Sequence, residues 1–163
     1  MRILAIDPGS ERSAWVALYE GHPEAHGLAP NDEVLVAVRN NAKICEVMVI
    51  EMIEGRGMPV GKDVFETCTM IGHFERQWTC YGGGRRERIY RREVKLRLCG
   101  SARAKDSNIR QALIDRYPAT GGGKTPQVGT VSQPGPLHGF SKDAWAALAV
   151  GLAWQEKEAE RST

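Results

Sequence analysis

The hydrophobic pattern opens with a short apolar run, Ile3 to Ile6, that ends at Asp7 and turns at once through Pro8-Gly9-Ser10. A run this short, bounded by turn residues, predicts a buried strand. A second strand is expected over 14–19, closing a hairpin, and a weaker third over 24–28. Residues 30–41 read as a helix: Asp32 and Glu33 suit its first turn, and Val34, Leu35 and Val38 form its apolar stripe. Val47 to Ile50 form another buried run, ended by Glu51 and followed by a Gly-rich loop over 55–61. Over 62–80 the residues Val64, Phe65, Cys68, Ile71, Phe74 and Trp78 recur at helical spacing. Gly72 inside that helix costs about 1 kcal/mol against Ala, which close packing on another helix would explain.

The second half is less regular. Residues 107–117 read as a helix that Pro118 stops. Residues 119–140 are rich in Gly, Pro, Thr and Ser, and a loop this long inside a compact domain is usually functional or mobile. The last helix is expected from Ser141 to about Glu156, with Leu148, Ala149, Leu152 and Ala153 on its apolar side. The pattern predicts a single domain over 1–157 and a frayed tail over 158–163.

Composition narrows the class. With 163 residues, 42% hydrophobic and 26% charged, the chain fits one soluble domain. It holds no apolar run long enough to span a membrane, and a strand begins where a signal peptide would lie, so a cytoplasmic protein with no membrane partner is expected. Cys45, Cys68, Cys80 and Cys99 form no C-x-x-C pair, which argues against a zinc ribbon and leaves buried reduced thiols as the default. His22 and His26 stand four apart, but in HPEAH a Pro fills the place of the zincin glutamate, so a loop or strand edge is expected. The GGGKT string at 121–125 lacks both the earlier glycine and the preceding strand of a phosphate loop.

Charge changes the picture more. Residues 85–105 carry nine cations (Arg85, Arg86, Arg88, Arg91, Arg92, Lys95, Arg97, Arg103, Lys105) against Glu87 and Glu93, in a chain whose net charge is only +2. Such a run can be a solvated face. Its density and single sign suit a phosphate backbone better, so a nucleic-acid partner is expected.

Three acids stand at rigid places: Asp7 and Glu51 at strand tips, and Asp143 in the first turn of the last helix. Each has a plain reading, respectively as a turn-bonding Asp, a surface acid, and an acid complementing a helix dipole. Together they suit Mg²⁺, which takes carboxylate oxygens and keeps several waters. Two such ions about 4 Å apart can activate a water and stabilise the leaving oxygen of a phosphodiester.

Four segments in order carry a resemblance: Ile6-Asp7-Pro8-Gly9-Ser10; Val49-Ile50-Glu51; YRREVKLRLCGSARAKDSNI over 90–109, with Val94-Lys95, Gly100, Ala104 and Lys105; and DAWAALAV over 143–150. In these the chain resembles the RuvC family of Holliday junction resolvases, within the RNase H-like superfamily. The resemblance implies an α/β fold, a mixed five-stranded sheet flanked by helices, and a homodimer built on the 62–80 helix, with uses for Gly72 and Trp78. It implies a metal-dependent, structure-specific endonuclease that nicks four-way and other branched DNA, using Mg²⁺ or Mn²⁺ held by Asp7, Glu51 and Asp143. Lys105 would act beside the scissile strand. Arg85, Arg86, Arg88, Arg91, Arg92, Lys95, Arg103 and Lys105 would contact DNA.

Two departures stand out. The family's second acid in the last helix falls on Ala146, leaving Glu54 and His138 as candidate auxiliaries or the chain as a weak or inactive junction binder. The long 119–140 loop looks more like a phage-encoded member, which would act in a bacterial host's cytoplasm. Sugar-kinase and actin-like ATPases also begin with Asp-x-Gly-Ser, but they need two such domains and this length holds one.

Overall fold

The computed structural model describes residues 1–55, 57 and 59–161. Arg56 and Met58 of the expected 55–61 loop, and Ser162 and Thr163 of the expected tail, lie outside the described residues. Five strands form one sheet: β1 (Arg2–Asp7), β2 (Arg12–Tyr19), β3 (His22–Pro30), β4 (Val47–Met52) and β5 (Arg85–Tyr90), in the spatial order β3-β2-β1-β4-β5. Strands β1 with β2 and β2 with β3 are antiparallel, whereas β1 with β4 and β4 with β5 are parallel. Parallel neighbours need crossovers. Helix α1 (Asn31–Asn41) carries the chain from β3 to β4, and α2 (Lys62–Cys80) carries it from β4 to β5. Helices α3 (Arg91–Cys99), α4 (Asp106–Ile114) and α5 (Lys142–Arg161) follow.

The unbroken apolar runs of β1 and β4 have a direct cause: both faces of each strand are covered. Ile3, Ala5, Val47 and Val49 face a core shared with α3, α4 and α5. Leu4, Ile6, Met48 and Ile50 face a second core with Val34, Val38, Ile71, Phe74 and Trp78 from α1 and α2. Alternating residues thus go to opposite sides of the sheet, as strand geometry dictates. Helix α5 lies tight on β1 and β2 at Gly151, where an added Cβ would come within 2.5 Å of Leu18 Cδ1.

Several expectations are revised. Strand β3 runs over 22–30 rather than 24–28, and β5 falls in the basic run where the pattern gave no strand, because an edge strand covered on one side needs few apolar residues. His22 and His26 lie on β3, as a strand edge requires, and His26 stacks on Phe140 with ring centroids 4.0 Å apart. Trp78 serves its own chain's core rather than a dimer interface: it is fully buried and donates from Nε1 to the Gly84 carbonyl at 3.1 Å. Of the apolar positions on α2, Ile71 and Phe74 are buried while Phe65 and Cys68 are exposed. Gly72 has open space beside it among the described residues, since a Cβ there meets none of their atoms within 4 Å outside its own helix backbone.

Helix α5 extends to Arg161. Glu158 pairs with Arg85 at 2.6 Å and Glu160 with Arg97 at 2.9 Å, tying the last turns to β5 and α3. The 119–140 segment is closed by its own backbone bonds, including Gly122 N to Gln133 O and Leu137 N to Gln127 O, and Leu137 is fully buried. Buried thiols are not the rule: Cys45 is buried, but Cys68 and Cys80 are exposed, and all four are free. Among the described residues no helix is long and apolar enough to cross a membrane.

Candidate active site

Strand register brings the first two acids together. Ile6 pairs with Ile50 across β1 and β4, so the next residue of each strand, Asp7 and Glu51, leaves the same end of the sheet. The start of α5 arrives at that end. Asp7, Glu51 and Asp143 line one cleft of about 730 Å³, together with Arg91, Asp106, Arg110 and Ala146. Phe140 and Trp145 form part of its wall. Position 146 therefore faces the same space as Asp143, as residues three apart on a helix should.

The plain reading of Asp7, as the acid that bonds the Pro-Gly turn, does not hold. That turn is tied by other side chains. Gly9 N–H donates to Ser13 Oγ at 3.1 Å, and Asn31 Nδ2 donates to the Gly9 and Ser10 carbonyls at 3.0 Å. Ser13 in turn donates to Asn31 Oδ1 at 2.6 Å. Asp7 makes no ion pair among the described residues. Burial, and then the charge of Glu51, push its carboxyl up to about 7, with Asp143 adding in the same direction and Arg91 opposing.

Glu51 differs because it has a partner. Burial raises its pKa, while Arg91 opposes this by charge and by a hydrogen bond from Nη1 to Oε2 at 3.3 Å. The same guanidinium donates from Nη2 to Asp106 Oδ1 at 2.8 Å. Arg91 itself is held further in its charged form: burial alone would lower its pKa, but Glu51 and Asp106 together outweigh it. Arg110 lies over the Trp145 ring at 4.9 Å, adding a second cation to the wall.

The donors here are carboxylate oxygens without Cys or His, a set that suits hard cations such as Mg²⁺ or Mn²⁺. Among the described residues no three such groups are gathered closely enough to enclose an ion as they stand.

Other expected site residues are placed less uniformly. Glu54 lines a smaller hollow of about 250 Å³ that shares Asp7, Glu51 and Arg91 with the main cleft. His138 lines neither hollow; its exposed ring sits with Nδ1 3.3 Å from the Val128 carbonyl oxygen within the long loop. Lys105 precedes α4 and is not part of the cleft lining, although the next residue, Asp106, is.

The one-signed basic run does not survive folding as such. Arg85 pairs with Glu87 and Glu158, Arg88 with Glu75 at 2.7 Å, Arg97 with Glu93 and Glu160, and Lys95 lies 3.9 Å from Asp106. Arg86, Arg92, Arg103 and Lys105 are exposed and make no ion pair among the described residues. Sequence reasoning gave Arg91 to DNA contact rather than to the cleft, and it missed Asp106 and Arg110. Asp106 carries no distinguishing signal, since an acid in a helix's first turn is ordinary.

No protein-family model matches the sequence, and no curated protein matches it. Among solved structures the fold is similar to Thermus thermophilus RuvC, with a TM-score of 0.68 and 13% identity over 98% of this chain and 96% of that one. It is also similar to T. thermophilus RuvC in complex with Holliday junction substrate, with a TM-score of 0.66 and 14% identity over the same shares. At that identity the likeness is one of fold. The mixed five-stranded sheet flanked by helices is the RuvC-like, RNase H-like architecture that the four sequence segments implied.

Proposed function

We propose that this chain is a divalent-metal-dependent endonuclease that resolves four-way DNA junctions, and other branched DNA, by paired phosphodiester nicks. One observation carries the reading: Asp7, Glu51 and Asp143, from β1, β4 and α5, line a single cleft in a RuvC-like fold. A neighbour of that fold holds Holliday junction substrate, which supports branched DNA as the ligand. Bound Mg²⁺ or Mn²⁺ would supply an activated water and charge stabilisation for the leaving oxygen. The chain's own part is to offer oxygen ligands from Asp7, Glu51 and Asp143, with Glu54 in the adjoining hollow as the nearest reserve. Arg86, Arg92, Arg103 and Lys105, free of internal acids, contact the backbone phosphates.

Two nicks on opposing strands call for two active sites, so the working form is a homodimer with a two-fold axis. The outward side of α2, with Phe65 at 65% exposure, Cys68 and Gly72, is the face we assign to that contact. The deciding assay is nicking of a synthetic four-way junction with and without Mg²⁺. Symmetric nicks that vanish in EDTA are expected, and cutting that persists in EDTA would sink the reading. A second reading is an inactive junction-binding protein of the same fold, favoured by Ala146 and by the guanidinium on Glu51. It predicts junction binding with no nicking at any Mg²⁺ or Mn²⁺ concentration.

A further inference from the structure

We propose that Arg91 is a built-in cation of the cleft, standing on Glu51 where a second metal ion would otherwise bind, so that each chain takes up one divalent ion tightly rather than two. The inference rests on the metal-dependent reading of the same site. Geometry carries it. Glu51 Oε2 and Asp106 Oδ1 lie 3.3 Å and 2.8 Å from the two Nη atoms of one guanidinium. Arg91 keeps 24% of its side-chain surface exposed and Glu51 only 14%, so the pair sits in the cleft and not on its rim. An ion sharing Glu51 must meet that positive charge at close range, and little water lies between to screen it.

The backbone holds the arrangement. Glu51 pairs with Ile89 and Met52 with Tyr90 in the β4–β5 register, and Arg91 follows Tyr90 as the first residue of α3. Its stem therefore starts beside the strand that carries Glu51. A guanidinium fork can satisfy two carboxylates at once, which an ammonium does less well. Asp106 is 78% exposed yet bonded to Arg91, so it keeps the far side of the fork in place when Glu51 turns toward an ion.

Charge gives the same answer. The cleft lining carries four carboxylates, Asp7, Glu51, Asp106 and Asp143, against two guanidiniums, Arg91 and Arg110. The net of two matches a single divalent ion. A carboxylate at Ala146, which lines the cleft, would add one of the two further charges a second ion needs.

The test is Mn²⁺ binding to the full-length protein at pH 8 without DNA, followed by calorimetry and by electron paramagnetic resonance. The wild type should bind one Mn²⁺ per chain tightly. Arg91→Gln should take up a second ion, or bind the first at least about tenfold more tightly. Arg91→Lys, which keeps the charge, should stay at one ion even if Arg91→Gln fails to fold. Asp106→Asn should change first-ion affinity by less than about threefold, because Asp106 acts on Arg91 and not on the ion. Two tight ions in the wild type, or an Arg91→Gln protein that folds and binds as the wild type does, would overturn the inference and leave the nuclease reading intact. A tenfold loss in Asp106→Asn would overturn it too, by making Asp106 a ligand. No Mn²⁺ binding in any variant would remove the metal-dependent reading itself, and this inference with it.

Discussion

Asp7 and Glu51 lie at the same end of neighbouring parallel strands, but Glu51 has the Arg91 guanidinium at 3.3 Å whereas Asp7 has no ion pair among the described residues. Asp7 is accordingly the acid pushed up to about 7, by burial first and by Glu51 second. Its unfolded value is the ordinary one near 4. Between those values the folded chain holds a proton that the unfolded chain has lost. Stability from this group therefore falls as pH rises from about 4 to 7, and is constant on either side. Asp7→Asn removes the dependence. It should melt higher than the wild type at pH 8 in metal-free buffer and about equally at pH 4, while losing cleavage and keeping junction binding. Equal melting temperatures at pH 8 would contradict the assignment.

Ala146 faces the cleft beside Asp143. Ala146→Asp should lower the half-saturating Mg²⁺ concentration for junction cleavage by at least about tenfold, as an added carboxylate supplies part of the charge, and a further oxygen ligand, that a second ion needs. A Mg²⁺ titration of nicking rate measures this. An unchanged curve would mean that three carboxylates and water suffice.

The cations of 85–105 should separate by partner. Arg92→Ala, Arg103→Ala and Lys105→Ala should each weaken junction binding and reduce the slope of log K against log salt by about 1. Lys105→Ala should lower cleavage more than it lowers melting temperature. Arg85→Ala should leave the slope unchanged and reduce stability instead, because Arg85 is spent on Glu87 and Glu158. Binding isotherms across a salt series distinguish the two groups.

Phe65 is 65% exposed on α2, on the side where Cys68 is exposed and Gly72 meets no neighbour. Phe65→Asp should convert a dimer to a monomer at micromolar concentration in sedimentation, with the melting of the monomer little changed. A wild type that sediments as a monomer would remove the dimer proposal and point to a single-nick enzyme acting on flaps.

Trp78 fills the core between α2 and the sheet, and a Cβ at Gly83 would come within 2.3 Å of its ring. Trp78→Ala should cost about 3–5 kcal/mol in denaturant unfolding, as large-to-small core changes do. Gly83→Ala should also destabilise, because the ring has no room to retreat. Dimerisation should be unaffected in any fraction that remains folded, since neither residue lies on the outward face.

What the sequence by itself determined was local in origin. The runs Ile3 to Ile6 and Val47 to Ile50 are continuous because both faces of β1 and β4 are covered, and that pattern is visible in a few adjacent residues. Each run ends at an acid, and parallel pairing then brings Asp7 and Glu51 side by side. The helical period of α2 and the first-turn acid of α5 are equally short-range signals.

Only the tertiary structure decided which charges meet. Arg85 finds Glu158, 73 residues away, and Arg91 finds Glu51, 40 residues away, and no local pattern encodes such a distance. The run that reads as a single basic stripe is thereby divided into paired and unpaired cations, with Arg91 drawn into the acid cleft. The same limit explains the edge strands, where one-sided burial leaves too few apolar residues to count. Packing against the sheet also decides which side of α2 is buried, taking Trp78 inward and leaving Phe65 exposed.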